Sequence, residues 1–383
     1  EFVAGETYER LGQVITLLAP GRGTFDQDTS ASSMPIEPEG FNDPNELITS
    51  ITYVKAPEFV RMIEQMIGKE KFVKGLHLYH TRYKHSNATR KQWISCMEEV
   101  SHIKLSKMAD QWLKRTGFPI VKVKTSYDDK KKKYTLLLDQ GKNHWTFPFT
   151  FSLYDDTGRK MIEKTERITS LLQKITVSVS TKPSFASLNN GYSFYGKVIY
   201  IQTKEKLLLQ IQHDQDLVGK FLAWMQLINT EKERLLAHRK SEVSSFIIDT
   251  YFTLLNHKEL VPQTGSQFFA LFETVDDPIW RHCYQDLYDV RKKIQKAIAR
   301  KYHLALKKMY HEYAQIHASG SYLQKEIHSI KNRQMKNLCL VLLSTLDTPE
   351  IQTIIKKQYD EATCATDRGI AFKLYIESSA HDT

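Results

Sequence analysis

The spacing of hydrophobic and polar positions changes period twice along the chain. From Tyr8 to Leu18 apolar residues recur at helical intervals, and a loop rich in Gly, Ser, Pro and Asp follows from Pro20 to Pro44. A helical block comes next, with Phe59, Met62, Ile63, Met66 and Ile67 at spacings of three and four, then Phe72, Leu76 and Tyr79. Thr89-Arg90-Lys91-Gln92 reads as a capping box ahead of Trp93, Met97 and Val100, and Ser106 as the cap of a helix carrying Met108, Trp112 and Leu113. Gly117-Phe118-Pro119 ends the block. Beyond Pro119 the period becomes two. Alternating runs occur at Val121-Val123, Tyr134-Leu138, Phe147-Leu153, Ile175-Val179, Val198-Tyr200 and Leu207-Leu209-Ile211, separated by turn residues such as Asp155-Asp156-Thr157-Gly158. Strands this short and this regularly spaced predict a small antiparallel sandwich.

From Asp214 the helical period returns, with Leu217, Phe221, Trp224 and Ile228 on one face. Asp277-Pro278 reads as an N-cap with proline at the first helical position, opening a helix through Trp280, Tyr284, Leu287, Ile294 and Ile298 toward Ile316. Helices over Tyr322 to Leu346 and from Pro349 onward complete a stacked, solenoid-like helical array, although no fixed-period repeat accompanies it. The predicted fold is therefore multi-domain α+β, with a helical part at 1–118, a β-sandwich at 119–213 and an α-helical domain at 214–383.

Composition narrows the class. A chain of 383 residues with 41% hydrophobic and 26% charged residues is globular and too long for one ordinary core, which excludes disordered and collagen-like readings. In the C-terminal half the longest nearly uncharged apolar stretch, Asn337 to Leu346, is about half of what a bilayer crossing needs. Cys96, Cys283, Cys339 and Cys364 form no C-x-x-C pair and read as reduced thiols of a cytoplasmic protein. The chain begins Glu1-Phe2-Val3, without an initiator Met or the features of a signal peptide, and is expected to be a piece of something longer. The net charge of +10 invites a nucleic-acid reading until it is located. Residues 1–118 carry 15 basic and 15 acidic side chains, residues 119–213 carry 16 and 8, and the remainder 23 and 21. Nearly all the excess lies on the sandwich, where it reads as solubility or a docking face. Its one basic run, Lys130-Lys131-Lys132-Lys133, lies beside Asp128 and Asp129 without interleaved aromatics and reads as a solvated hairpin turn. Neither nucleic acid nor membrane is expected as a partner.

The most informative stretch is Ile51-Thr52-Tyr53-Val54-Lys55-Ala56-Pro57-Glu58-Phe59-Val60-Arg61-Met62-Ile63. It resembles the Y-x-K-G-A-x-V-[IL]-R-M segment of the zinc-dependent aminopeptidase N family in its bacterial form. Ile67-Gly68-Lys69-Glu70-Lys71-Phe72 is similar to that family's L-G-E-E-x-F, and Gly75 to Tyr79 to its G-x-x-x-Y. Asn87-Ala88-Thr89 and Trp112 to Pro119 resemble the N-A-T and W-x-x-x-x-G-x-P that close its catalytic domain. The order of helical tail, sandwich and helical array is also the family's. The resemblance implies the tail of a thermolysin-like catalytic domain at 1–118, followed by the Ig-like sandwich and the helical domain. It implies a metallopeptidase that removes N-terminal residues from peptides, a monomer in which two His and one Glu hold zinc. Tyr53 stands where the family's tyrosine donates its hydroxyl to the oxyanion formed at the scissile carbonyl. A phenol suits that role because it stays protonated at neutral pH and brings no charge of its own. Here Ala56-Pro57 replaces the family's Gly-Ala, which removes the freedom of glycine and biases the backbone at this point away from a helical start.

The zinc ligands are another matter. No H-E-x-x-H occurs in the sequence, nor the G-x-M-E-N that binds the substrate's amino terminus in the family. His311 and His317 are six residues apart, about 600° around a helix, where a shared face needs about 400°. His77 and His80 lack a third ligand, and Asn87-Ala88-Thr89 is better explained by capping than by glycosylation. The chain is thus expected to carry Tyr53 as its catalytic residue, to bind no zinc itself and to be inactive alone. The alternative is a non-catalytic interaction scaffold built from the same accessory domains.

Overall fold

The computed structural model describes residues 5–19, 23–275, 279–280, 282–315 and 320–382. The chain divides into two compact units, Gln13–Trp224 and a second made of Glu1–Gly12 with Met225–Thr383. Helix α1 spans Glu6–Leu18 and a short α2 spans Thr24–Asp28, inside the loop expected over Pro20 to Pro44. Four helices follow: α3 over Ala56–Ile67, α4 over Lys69–Tyr83, α5 over Arg90–Ser101 and α6 over Ser106–Leu113. The three-and-four spacing of α3 puts Phe59, Met62, Ile63 and Ile67 into the core. Gly75 lets α4 approach α5, since a Cβ there would lie 2.5 Å from Met97 Sδ.

The capping box at Thr89 is present as expected, with Thr89 accepting from the Gln92 N–H and Gln92 accepting from the Thr89 N–H. Ser106 does not cap α6. The N-cap is Leu105, and Glu98 supplies the acceptor, its Oε1 lying 2.6 Å from Leu105 N, 2.8 Å from Ser106 N and 2.8 Å from Ser106 Oγ. A longer side chain from the preceding helix thus satisfies the open N–H groups in place of the local serine.

The sandwich has seven strands: β1 Ile120–Asp128, β2 Lys133–Asp139, β3 Phe147–Tyr154, β4 Lys160–Ile168, β5 Leu172–Ser178, β6 Phe185–Leu188 and β7 Lys197–Ile199. One sheet has the order β5-β2-β1-β7 and the other β4-β3-β6, with only the short β1–β7 pairing parallel. Strand β3 is buried on both faces, as expected of a central strand flanked by helix and sheet. The run Leu207-Leu209-Ile211 is not a strand. It belongs to helix α7, Lys204–His213, capped by Thr203. Leu207 and Ile211 are buried and four apart, with Gln210 beside them, so the burial period is that of a helix.

Helix α8, Leu217–Ala237, leaves the first unit. The second unit continues with α9 Ser245–Leu255, α10 Leu260–Thr264, the 32-residue α11 Tyr284–Gln315, α12 Tyr322–Ser344, α13 Pro349–Glu361 and α14 Ala365–Ile376. The helix expected from Asp277-Pro278 starts later, at Tyr284; Trp280 lies in a turn, its carbonyl accepting from Cys283 N at 3.0 Å. Asp277, Pro278 and Ile316 lie outside the described residues. Among the described residues no helix is long and apolar enough to cross a membrane.

Candidate functional site

Tyr53 sits in a wide five-residue turn, Ile51–Lys55, that runs without a break into α3. The Ala56 N–H donates to the carbonyl of Ile51, five residues back, and Tyr53 N donates to Thr49 O at 3.1 Å. Thr52 Oγ1 donates to Leu47 O at 2.5 Å. Widened turns of this kind recur at functional sites because they re-aim side chains out of the regular helical face. Here the period places Ile51 and Lys55 inward and Tyr53 outward, with Tyr53 68% exposed.

The bias expected from Ala56-Pro57 does not take effect. Lys55 has φ −68° and ψ −37°, and Ala56 has φ −66° and ψ −45°, both helical. Pro57 falls in the first turn of α3, a position that accommodates the fixed φ of proline. What secures the preceding turn is Lys55. Its side chain is fully buried and its Nζ lies 2.9 Å from Asp28 Oδ2, while it also donates to Arg115 O at 3.0 Å and Gly117 O at 2.8 Å. Asp28, equally buried, accepts as well from Gly117 N at 3.0 Å and from the Tyr195 hydroxyl at 3.1 Å. Burial pushes the Lys55 ammonium down from its ordinary value, and Asp28 opposes that shift. Burial and the neighbouring Asp28 carboxylate push the Tyr195 hydroxyl up. Lys55 Nζ also lies 5.7 Å from the ring centroids of Trp145 and Tyr195, within cation–π range.

This knot explains two motifs that look independent in the sequence. Gly117 adopts φ +79°, which favours glycine, and offers both its N–H and its carbonyl to the knot. Trp112 Nε1 donates to Thr146 O at 2.7 Å and its ring lies 4.7 Å from that of Trp145, joining the end of the helical block to the sandwich. The turn bearing Tyr53, helix α2, the segment after α6 and a sandwich tyrosine are therefore tied through one buried ion pair. Sequence reasoning missed Asp28 and Tyr195 and treated Lys55 only as a motif letter. One signal was present: Lys55 lies four residues after Ile51 and four before Phe59, on the stripe that becomes core, and a charge there requires a partner.

The other candidates lie on other elements of the chain. His77, His80 and His311 are exposed on helices, and His317 lies outside the described residues. Lys130 to Lys132 form the turn between β1 and β2, with Lys132 paired to Asp129 at 2.9 Å and Lys131 N donating to Asp128. An acidic pair, Asp214 buried and Asp216 half-buried, lies just ahead of α8. Asp214 accepts from the Tyr154 hydroxyl at 3.0 Å and from Gln210 Nε2 at 3.0 Å, and Asp216 from the N–H groups of Gly191 and Gly219, each at 2.9 Å. Burial and then the Asp214 charge push the Asp216 carboxyl up to about 6. No group of three or more His, Cys, Asp or Glu able to hold a metal ion occurs among the described residues, so they do not fit a zinc site by themselves.

Residues 7–112 match the Peptidase family M1 domain, residues 117–201 a domain of unknown function with an Ig-like fold, and residues 204–383 a domain of unknown function made of ARM repeats. Aminopeptidase N of Escherichia coli is 25% identical over 374 residues, covering 90% of this chain. The chain is similar to the aminopeptidase N family over most of its length. Aminopeptidase N of Haemophilus influenzae is 24% identical over the same length. Each of these family members is matched over 41% of its own length, so the chain spans about two fifths of them. The crystal structure of Legionella pneumophila aminopeptidase A in complex with aspartic acid shares the fold, with a TM-score of 0.78 over 98% of this chain and 46% of that one, at 17% identity. The family's order of parts is reproduced here as helical block, Ig-like sandwich and ARM-like array.

Proposed function

We propose that this chain supplies the oxyanion side of the active site of a zinc-dependent aminopeptidase, a peptide hydrolase acting at peptide N-termini, with Tyr53 as the hydrogen-bond donor. The carrying observation is the pairing of an exposed Tyr53 with a fully buried Lys55 two residues later. Lys55 fixes the turn's backbone from inside while the phenol faces outward, and a preorganised donor needs that division of labour. As negative charge grows on the carbonyl oxygen, the Tyr53 O–H donates to it and keeps its proton. In the family the metal acts as Lewis acid and polarises water; the described residues do not hold it, and its ligands and the general base must come from elsewhere in the protein. The chain by itself is therefore inactive in this reading. Residues 1–118 belong to the catalytic domain, 119–213 to the sandwich and 214–383 to the helical domain. The four unpaired cysteines favour a reducing, cytoplasmic setting, and the working form is a monomer.

The test is a full-length enzyme in which this chain replaces the matched segment of E. coli aminopeptidase N. Assayed on alanyl and leucyl amides, Tyr53→Phe should lower kcat by roughly 10²- to 10³-fold with KM little changed. An unchanged kcat removes Tyr53 from the mechanism. Hydrolysis by the isolated 383-residue chain, with stoichiometric zinc by elemental analysis, overturns the claim of inactivity.

A further inference from the structure

The four-stranded sheet buries Val121, Val123, Leu136, Leu138, Ile175 and Val177 on its inner side and turns the alternate residues of β1, β2 and β5 outward. Register places Lys124 opposite Leu137, which is itself opposite Lys174; Lys122 lies between Asp139 on β2 and Ile199 on β7, and Asp139 is opposite Leu172. The outer face thus interleaves exposed lysines with exposed aliphatic side chains. Ile120 is 48% exposed, Leu172 59% and Ile199 43%, an unusual amount of aliphatic surface for one sheet face.

The charge on this face is not neutralised from within. Among the described sandwich lysines, Lys132 pairs with Asp129, Lys160 with Glu163 and Lys164 with Glu166. Lys122, Lys124 and Lys174 make no ion pair among the described residues. Asp139, the acid nearest in register, directs Oδ1 to the Gly141 N–H at 2.8 Å. Three unpaired ammonium groups beside accessible aliphatic surface repel one another and leave apolar area wet, and one complementary surface relieves both costs.

We propose that the outer face of the β5-β2-β1-β7 sheet is a docking surface for an acidic segment of a partner protein, with carboxylates on Lys122, Lys124 and Lys174 and aliphatic side chains over Ile120, Leu172 and Ile199. The cations of the face are lysines, with neither arginine nor an aromatic side chain among its outward residues. Single-stranded nucleic acids are held partly by rings that stack on bases, which this face lacks, while its lysines and aliphatic side chains together complement an acidic, partly apolar protein segment. The inference is independent of the role given to Tyr53.

Poly-L-glutamate is the probe, titrated into the chain at low and at physiological ionic strength, with affinity read by fluorescence anisotropy. Two variants lose the same charge: Lys122→Glu with Lys124→Glu and Lys174→Glu on the face, and Lys130→Glu with Lys131→Glu and Lys132→Glu in the hairpin turn. The face variant is expected to bind about tenfold more weakly and the turn variant within about threefold of the unmodified chain. Equal losses reduce the effect to net charge and overturn the proposal, as does absence of binding by the unmodified chain. Tighter binding to polyuridylate or to phosphatidylserine vesicles that is lost only in the face variant also overturns it, by assigning the face to nucleic acid or lipid. If charge reversal prevents folding, the Lys→Gln triple variant carries the same comparison.

Discussion

Lys55 and Asp28, 27 residues apart in the chain, form an ion pair at 2.9 Å in which both side chains have no exposed surface. Neither charge reaches water, so each depends on the other and on the groups that complete its hydrogen bonds. Lys55→Met strands a buried carboxylate and leaves the carbonyls of Arg115 and Gly117 without their donor. A loss of about 3–5 kcal/mol is expected in urea unfolding. In a full-length enzyme it should also lower kcat, because the turn bearing Tyr53 loses its inner anchor.

Gly117 tests the backbone part of the same knot. Its φ of +79° is unfavourable for a residue with a Cβ, yet a Cβ built there meets nothing within 4 Å. Gly117→Ala should therefore cost about 1–2 kcal/mol through conformation alone, with the packing around Trp145 intact. An unchanged unfolding midpoint would show that the segment can relax out of the left-handed region.

Glu98 caps α6 in place of Ser106, which makes its charge part of the fold. Burial raises its carboxyl, but hydrogen bonds from Leu105 N, Ser106 N and Ser106 Oγ, together with Lys104, bring it below the usual value. A depressed carboxyl contributes stability above the unfolded value of about 4.3, and that contribution is lost as pH falls through the folded value. Glu98→Ala is expected to cost about 1–2 kcal/mol at pH 7 and to converge with the unmodified chain in acid. Thermal melts of the two chains across that range measure the convergence.

Asp216 has the opposite sign. Burial and Asp214 raise it to about 6, so the folded chain keeps a proton that the unfolded chain has released. Its contribution to stability falls as pH rises from about 4 toward 6. Asp216→Asn keeps an oxygen for the N–H groups of Gly191 and Gly219 and removes the titration. Relative to the unmodified chain it should gain roughly 1–3 kcal/mol between acid and neutral pH. Parallel unfolding curves at the two pH values would exclude Asp216 as the titrating group.

The Thr89 capping box and the strand alternation were legible because both depend on short spacings along the chain. Thr89 and Gln92 are three residues apart and meet wherever the chain turns helical, and Val121 with Val123 must share a sheet face. Leu207, Leu209 and Ile211 misled because a run with apolar residues at both i+2 and i+4 fits a strand and a helix alike. Burial of Gln210 beside Leu207 and Ile211 decides for the helix, and that burial comes from the surrounding fold.

The sequence by itself determined the likeness to the aminopeptidase N family and the three-part order, because these reside in residue identities and short spacings. The tertiary structure alone decided what holds Tyr53 in place. Asp28 lies 89 residues from Gly117 and 167 from Tyr195, and no local pattern announces such partners. A buried charge constrains whichever groups the fold brings within about 3 Å, so its meaning appears only after the helical block and the sandwich have packed. The same packing turned the lysines at 122, 124 and 174 from scattered letters into one uncompensated face.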